Sequence, residues 1–245
     1  MRKFGLIGYP LTHSFSQRYF TEKFEREDIR NCSYQNFSIS DINDLPALLN
    51  EEPDLSGFNV TIPYKEVILP FLASTSDVVK QIKACNCVRR VGDRLHGHNT
   101  DVVGFEISLK NFLQDQPERA LILGTGGNAK AVASVLNKLA IEYLFVSRRP
   151  SNGQLSYDHL SQEFIHQHRL IINTTPLGMY PVDKSPAIPY EFLTSQHYLF
   201  DLLYNPATTV FMQRGAAQGA RVKNGYEMLE LQAEESWRIW NTPLT

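Results

Sequence analysis

A chain of 245 residues allows one large domain or two ordinary ones of roughly 100 to 150 residues, each with its own core. Apolar residues make up 42% and charged residues 20%, and 24 basic against 26 acidic side chains leave a net charge of -2. That balance excludes a disordered tail protein and a dedicated nucleic-acid binder, so small molecules are the expected partners, with neither nucleic acid nor membrane. Cys32, Cys85 and Cys87 are an odd number in a chain too long to need disulfide staples, which predicts free thiols in a reducing compartment. The chain starts without a secretory pattern and has no run near 18 apolar residues, so the expected location is the cytoplasm.

Strand-like and helix-like stretches alternate, which predicts an α/β fold of two domains with largely parallel sheets. The first third reads as a strand over 3–7, a helix over 17–25, a strand over 34–39, a helix over 42–50, a strand over 57–61 and a helix over 64–72. Residues 85–91 and 94–97 read as a hairpin around Gly92-Asp93. The polar stretch 111–119, with Pro117, precedes a second set of strands over 120–123, 143–146, 170–174, 198–202 and 221–223. An amphipathic helix over 226–240, with Met228, Leu229, Leu231, Trp237 and Trp240 as candidate buried positions, is expected to pack back on the first domain. The expected domains are therefore 1–103 with 226–245, and 104–225.

Strand 120–123 runs into Gly124-Thr125-Gly126-Gly127-Asn128-Ala129 and then a helix, the order a dinucleotide-binding turn of a Rossmann-like domain requires. Gly124 suits the tight turn, Gly126 the approach of a pyrophosphate, and Ala129 close packing of helix on strand, while the helix start offers free N–H groups. The next strand ends in Ser147-Arg148-Arg149, where an NAD-binding chain would offer an acid to the ribose. Two guanidiniums and a hydroxyl suit a 2′-phosphate instead, which favours NADP; a solvated basic loop is the plainer alternative.

In the first domain, Ser14 and Ser16 sit near a helix start, Ser16 at the expected N-cap, with His13 beside them as a loop residue. Two hydroxyls there would cradle a carboxylate. The run Asn59-Val60-Thr61-Ile62-Pro63-Tyr64-Lys65 puts Lys65 in the first turn of the expected helix, where the dipole opposes a cation and a lysine poised nearer neutrality could shuttle a proton. A snorkelling surface lysine is the alternative. Asp101 could be no more than a helix cap, and Asn86 would need hydrogen-bond partners if buried. Cys85-x-Cys87 and His96-x-His98 lack the four-ligand spacing of a closed zinc site, so no metal is expected.

Taken together, His13-Ser14-Phe15-Ser16, the run 59–65, Asn86, Asn99-Thr100-Asp101, Gly124-Thr125-Gly126-Gly127, the run Ile172-Asn173-Thr174-Thr175-Pro176-Leu177-Gly178-Met179, the run Asp201-Leu202-Leu203-Tyr204-Asn205-Pro206, and Asn224-Gly225-Tyr226-Glu227-Met228-Leu229 with Gln232 resemble the shikimate dehydrogenase family over nearly the whole chain. The resemblance implies NADPH-dependent, reversible reduction of 3-dehydroshikimate to shikimate on the route to aromatic amino acids, by a monomer or homodimer. It also implies that 1–103 with 226–245 binds substrate and 104–225 binds NADP. By that analogy Ser14, Ser16 and Tyr204 hold the substrate carboxylate. Asn59, Thr61, Asn86, Asp101 and Gln232 lie on the substrate side, with Lys65 and Asp101 catalytic. Asp77, Thr174, Leu202, Gly225 and Met228 join the glycine turn and Ser147 to Arg149 as cofactor contacts. Two other readings of the same site are a quinate/shikimate dehydrogenase that uses NAD, and a catalytically silent sensor.

The chain departs from the family in two places. Where the family commonly has Asn-Arg-Thr, this chain has Ser147-Arg148-Arg149, so only Arg148 carries over directly. The chain also looks short for the family between Arg149 and Leu170, where a reduced helix and loop are expected.

Overall fold

In the computed structural model, which describes residues 1–11, 14–179 and 184–242, the chain divides into two units, Met1–Val103 with Gln232–Thr245, and Gly104–Leu231. His13 lies outside the described residues.

The first unit is built on six strands, β1 (Arg2–Gly8), β2 (Cys32–Ser38), β3 (Leu55–Val60), β4 (Ser74–Thr75), β5 (Cys87–Val91) and β6 (Arg94–His98), in the order β2-β1-β3-β5-β6-β4. Strand β1 pairs in parallel with β2 and β3, and β4 with β6, whereas β5 runs antiparallel to both neighbours. Gly92, with φ +57°, turns the β5–β6 hairpin in the left-handed region that glycine tolerates. Helices α1 (Phe15–Arg26), α2 (Leu45–Glu51) and α3 (Asp77–Ile82) connect the strands. One core gathers Ile7, Phe58, Val60, Ile68 and Val88. A second joins Phe4, Phe20 and Tyr34 to Ala233, Ile239 and Trp240, which belong to the last helix, α8 (Tyr226–Asn241). Trp240 stacks on Phe4 at 4.8 Å and donates its indole N–H to the Val88 carbonyl at 2.9 Å. A Cβ at Gly57 would come within 2.4 Å of that indole, so glycine there makes room for it. The helix stripe is wider than its apolar residues suggested, because buried Gln232, Ala233, Ser236 and Ile239 share it with Met228 and Trp240.

The expected helix over 64–72 does not form: 62–68 is a series of turns, followed by one 3-10 turn at Leu69–Phe71. Two causes act together. The Lys65 carbonyl accepts from the Cys85 amide at 2.7 Å, and Pro70 has no N–H to donate to the Glu66 carbonyl, which the Leu69 amide takes instead. Lys65 therefore has no helix dipole beneath it. At α1 the cap is Ser14, not Ser16: its Oγ accepts from the Gln17 amide at 3.2 Å and the helix starts at Phe15.

The second unit carries β7 (Arg119–Leu123), β8 (Glu142–Val146), β9 (Gln154–Leu155), β10 (Leu170–Asn173), β11 (Tyr198–Asp201) and β12 (Arg221–Lys223), in the order β12-β11-β10-β7-β8-β9. Every pairing is parallel. Counted from β7, this is the 3-2-1-4-5-6 arrangement of a dinucleotide-binding sheet, whose order reverses between β7 and β10. Helices α4 (Asp101–Phe112), α5 (Gly127–Lys138), α6 (Gln162–Gln167) and α7 (Val210–Ala217) complete the elements, α4 and α8 each running from one unit into the other. The central strands β7, β10 and β11 read as near-continuous apolar runs because both their faces are buried, with Leu121, Ile171 and Leu199 in a core that Phe211 of α7 joins. The expected reduced segment after Arg149 consists of β9, a 3-10 turn at Tyr157–His159 and the six-residue α6.

Candidate active site and cofactor site

Register decides what meets in the first unit. Asn59 pairs with Cys87, and Cys87 with His98, so 60–65, 84–86 and 99–101 all leave one edge of the sheet. At that edge the Lys65 Nζ donates to Asp101 Oδ2 at 2.8 Å, with side-chain exposures of 19% and 11%. Asp101 is the first residue of α4, but the capping hydrogen bond comes from its neighbour: Asn99 Oδ1 accepts from the Val102 amide at 3.2 Å. The Asp101 carboxylate is thus directed to a lysine instead of to its own helix.

Beside this pair lies a buried polar network. Asn86 Oδ1 accepts from the Thr100 amide at 2.6 Å, and its Nδ2 donates to the Thr100 hydroxyl at 3.1 Å. Thr100 Oγ1 in turn donates to Gln232 Oε1 at 3.3 Å and lies 3.2 Å from the Ser236 hydroxyl. Asn59 is 4% exposed, and both of its amide hydrogens are committed inside the protein, to the Asn86 carbonyl and to Ser236 Oγ. Its Oδ1 accepts from the Tyr34 hydroxyl at 2.9 Å. Burial pushes the Tyr34 phenol well above its ordinary pKa, and Ser16 is its other hydrogen-bonding neighbour. Tyr34 and Ser236 carry no charge and no motif of their own and were not singled out from the sequence; Thr100 entered only as the middle of the run Asn99-Thr100-Asp101, with no role of its own. Thr61 ends the same edge, its amide bound to the Ile7 carbonyl at 2.9 Å.

In the second unit the carboxyl ends of the parallel strands bring the glycine turn, Ser147 and Thr174 side by side, since Leu123 is in register with both Val146 and Asn173. Gly124 has φ +107°, and a Cβ on it would meet Thr174 Oγ1 at 2.8 Å. Added Cβ atoms at Gly126 and Gly127 would meet nothing within 4 Å, and no side chain caps α5 at Gly126. The helix start is therefore open to an anion. A cavity of about 460 Å³ opens here, lined by Gly124 to Gly126, Ser147 and Arg148 on one side and by Thr174 to Leu177 with Met179 on the other. Tyr157 also lines it, a residue from the segment after Arg149 in which the sequence showed no binding motif. A second opening, of about 480 Å³, is lined by Ser147, Arg148 and Arg149. Thr125 lies on the turn, Asn128 is in the first turn of α5, and Ala129 is fully buried. Bare glycine backbone, an uncapped twelve-residue helix and two exposed guanidiniums fit a phosphorylated dinucleotide.

The remaining expected contacts divide between the units. Leu202, Tyr204, Gly225 and Met228 belong to the second, with Met228 buried and Leu202 and Tyr204 half-buried. Asp77 belongs to the first unit, where it is exposed at the start of α3 and pairs with Lys80 at 2.8 Å. That hydrogen bond holds its carboxyl below the usual range.

The shikimate dehydrogenase substrate-binding domain model matches residues 6–88. A protein of Caldicellulosiruptor saccharolyticus named shikimate dehydrogenase (NADP(+)) is 33% identical over 98% of this chain and 92% of its own length. This chain belongs to the shikimate dehydrogenase family. Among solved structures, the family's enzyme from Thermus thermophilus, in complex with NADP(H) and shikimate, aligns with a TM-score of 0.86 and 30% identity, covering 100% of this chain and 95% of that one. The quinate dehydrogenase of Corynebacterium glutamicum, in complex with NAD, aligns with a TM-score of 0.88 over 98% and 93% of the two chains, and at 24% identity shares the fold. Among the described residues, no helix is long and apolar enough to cross a membrane.

Proposed function

We propose that this protein catalyses the reversible reduction of 3-dehydroshikimate to shikimate with NADPH, as a cytoplasmic monomer or homodimer. The observation that carries the reading is the Lys65–Asp101 ion pair, held at 2.8 Å at the sheet edge that also presents Thr61 and Asn86. The first unit then binds the substrate and the second the cofactor.

On the substrate side, Ser14 accepts the Gln17 amide with its oxygen, which leaves its O–H to donate to a carboxylate; Ser16 and Tyr204 join it. Thr61, Asn86, Asp101 and Gln232 take the ring hydroxyls. Asn59 supports them from behind, through Asn86 and Ser236. Bound NADPH supplies the hydride. As negative charge grows on the substrate oxygen, the Lys65 ammonium stabilises it and gives up a proton, and in the reverse direction Lys65 takes the proton back. Asp101 keeps the ammonium aimed and limits its wandering. Ser147, Arg148 and Arg149 hold the 2′-phosphate, and the bare glycine turn with the start of α5 holds the pyrophosphate. Thr174, Leu202, Gly225 and Met228 line the nicotinamide end, and Asp77 adds a contact near the cofactor.

The test is absorbance at the nicotinamide band after shikimate and NADP+ are added to folded protein. Appearance of NADPH supports the reading, and its absence leaves a silent sensor. The NAD-dependent quinate reading is weighed by initial rates with both cofactors and both substrates. The strand end at Ser147 argues against it, since no acid there faces a ribose 2′-hydroxyl. A higher kcat/KM with NAD+ would reverse the cofactor assignment.

A further inference from the structure

Two buried polar side chains of the second unit have no part in the mechanism above. Asn173 and Asp201 are both 0% exposed and are register partners at the carboxyl ends of β10 and β11. The Asp201 carboxylate accepts from three uncharged donors: Asn173 Nδ2 at 3.0 Å and the Leu203 amide at 3.1 Å on Oδ1, and the Thr209 hydroxyl at 2.6 Å on Oδ2. An ionised carboxylate accepts at both oxygens and donates from neither. It therefore fixes the Asn173 amide with its nitrogen inward and its oxygen turned to the next loop. There Asn173 Oδ1 accepts from the Thr175 amide at 3.0 Å and the Thr175 hydroxyl at 2.7 Å. The Thr175 hydroxyl oxygen then accepts from the Leu177 amide at 3.3 Å. Thr174 to Leu177 form one wall of the 460 Å³ cavity. Across the strand pair, the Asn173 carbonyl accepts from the Leu202 amide at 3.0 Å, and Leu203 is held by Asp201 itself.

We infer that Asn173 and Asp201 are positioning residues for the cofactor: together they clamp the loop after β10, which forms one wall of the cavity, to the loop after β11. The inference rests on the reading that this cavity takes NADP. An acid is the fitting residue here because no neutral side chain accepts on two arms without also donating. Burial raises the Asp201 carboxyl to about 6, which marks the site as unfavourable for charge and kept for its geometry.

The experiment uses the full chain with Asn173→Ala and Asp201→Ala, assayed well below each variant's unfolding transition. KM for NADP+ is expected to rise about tenfold or more in each, the scale of losing a buried hydrogen-bond partner. In Asn173→Ala, which leaves the Asp201–Leu203 hydrogen bond ahead of Tyr204 in place, shikimate binding to cofactor-free protein, followed by calorimetry, should stay unchanged. The double variant should lose less than the product of the single effects, because both act through one clamp. Where Asp201→Ala does not fold, Asn173→Ala, which leaves the carboxylate two donors, carries the test alone. A wild type that reduces NADP+ beside an Asn173→Ala variant with wild-type KM and only a lower transition temperature would overturn the inference and leave the functional reading intact. A wild type that binds neither shikimate nor NADP+ would overturn both.

Discussion

Gly225 lies against the Leu202 carbonyl so closely that a Cβ on it would come within 2.2 Å of the carbonyl oxygen. The neighbour is backbone at the end of β11, so it cannot swing aside as a flexible side chain would. Gly225→Ala is expected to displace the Leu202 segment and to cost about 1–3 kcal/mol of stability, the usual range for overpacking. The check is the denaturation midpoint together with KM for NADP+. A variant with wild-type values for both would show that the segment moves freely.

Lys65 and Asp101 make separable predictions. Lys65→Ala should lower kcat by roughly 100-fold or more with a smaller change in KM, the pattern of a lost general acid-base group. Asp101→Asn keeps the shape and removes the charge that aims Lys65, so turnover should fall there too. Since Asn99 already supplies the cap of α4, unfolding midpoints should move little. A large midpoint shift with unchanged turnover would make Asp101 a helix residue only.

Arg148 is exposed beside Ser147 at the end of β8, and Arg148→Ala should discriminate between cofactors. KM for NADP+ is expected to rise by about tenfold to 100-fold, the scale of a charge-assisted contact to phosphate, with little change for NAD+. Equal losses with both cofactors would remove the arginine from 2′-phosphate recognition.

His197 gives a pH prediction with a definite sign. Its Nε2 lies 3.0 Å from the Ile165 carbonyl and its Nδ1 accepts from the Thr194 amide at 3.0 Å, so the ring is a neutral tautomer protonated at Nε2. Burial lowers its pKa from the ordinary value, and a second proton would also face an N–H donor. The native state therefore binds fewer protons than the unfolded chain, and this contribution is complete above the unfolded histidine value of about 6.5 and lost as pH falls below it. An NMR titration should find the His197 ring titrating below the unfolded histidine value of about 6.5. Titration at or above that value would contradict the hydrogen-bond assignment.

Periodicity alone was enough to predict the parallel strands of the second unit's sheet in outline, apart from the two-residue β9, because fully buried strands read as apolar runs. The glycine turn and the paired arginines were equally legible, since each needs only its own neighbours in the chain. The helix expected over 64–72 failed for one reason written in the chain, Pro70, and one that is not: the Cys85 amide takes the Lys65 carbonyl. Distance along the chain likewise hid Tyr34, Ser236 and the part played by Thr100, whose hydroxyls become informative only as partners of Asn59, Asn86 and Gln232.

By itself, then, the amino-acid order determined the class of fold, the two-unit plan and the glycine turn between β7 and α5, all of which follow from spacing along the chain. Only the tertiary structure decided that Asp101 serves Lys65 instead of its own helix, that Asn59 is committed inside the protein, and that Asn173 and Asp201 brace one another. Those pairings join residues from different segments across strand register, and a hydrogen bond has a direction and a length that no spacing in sequence contains.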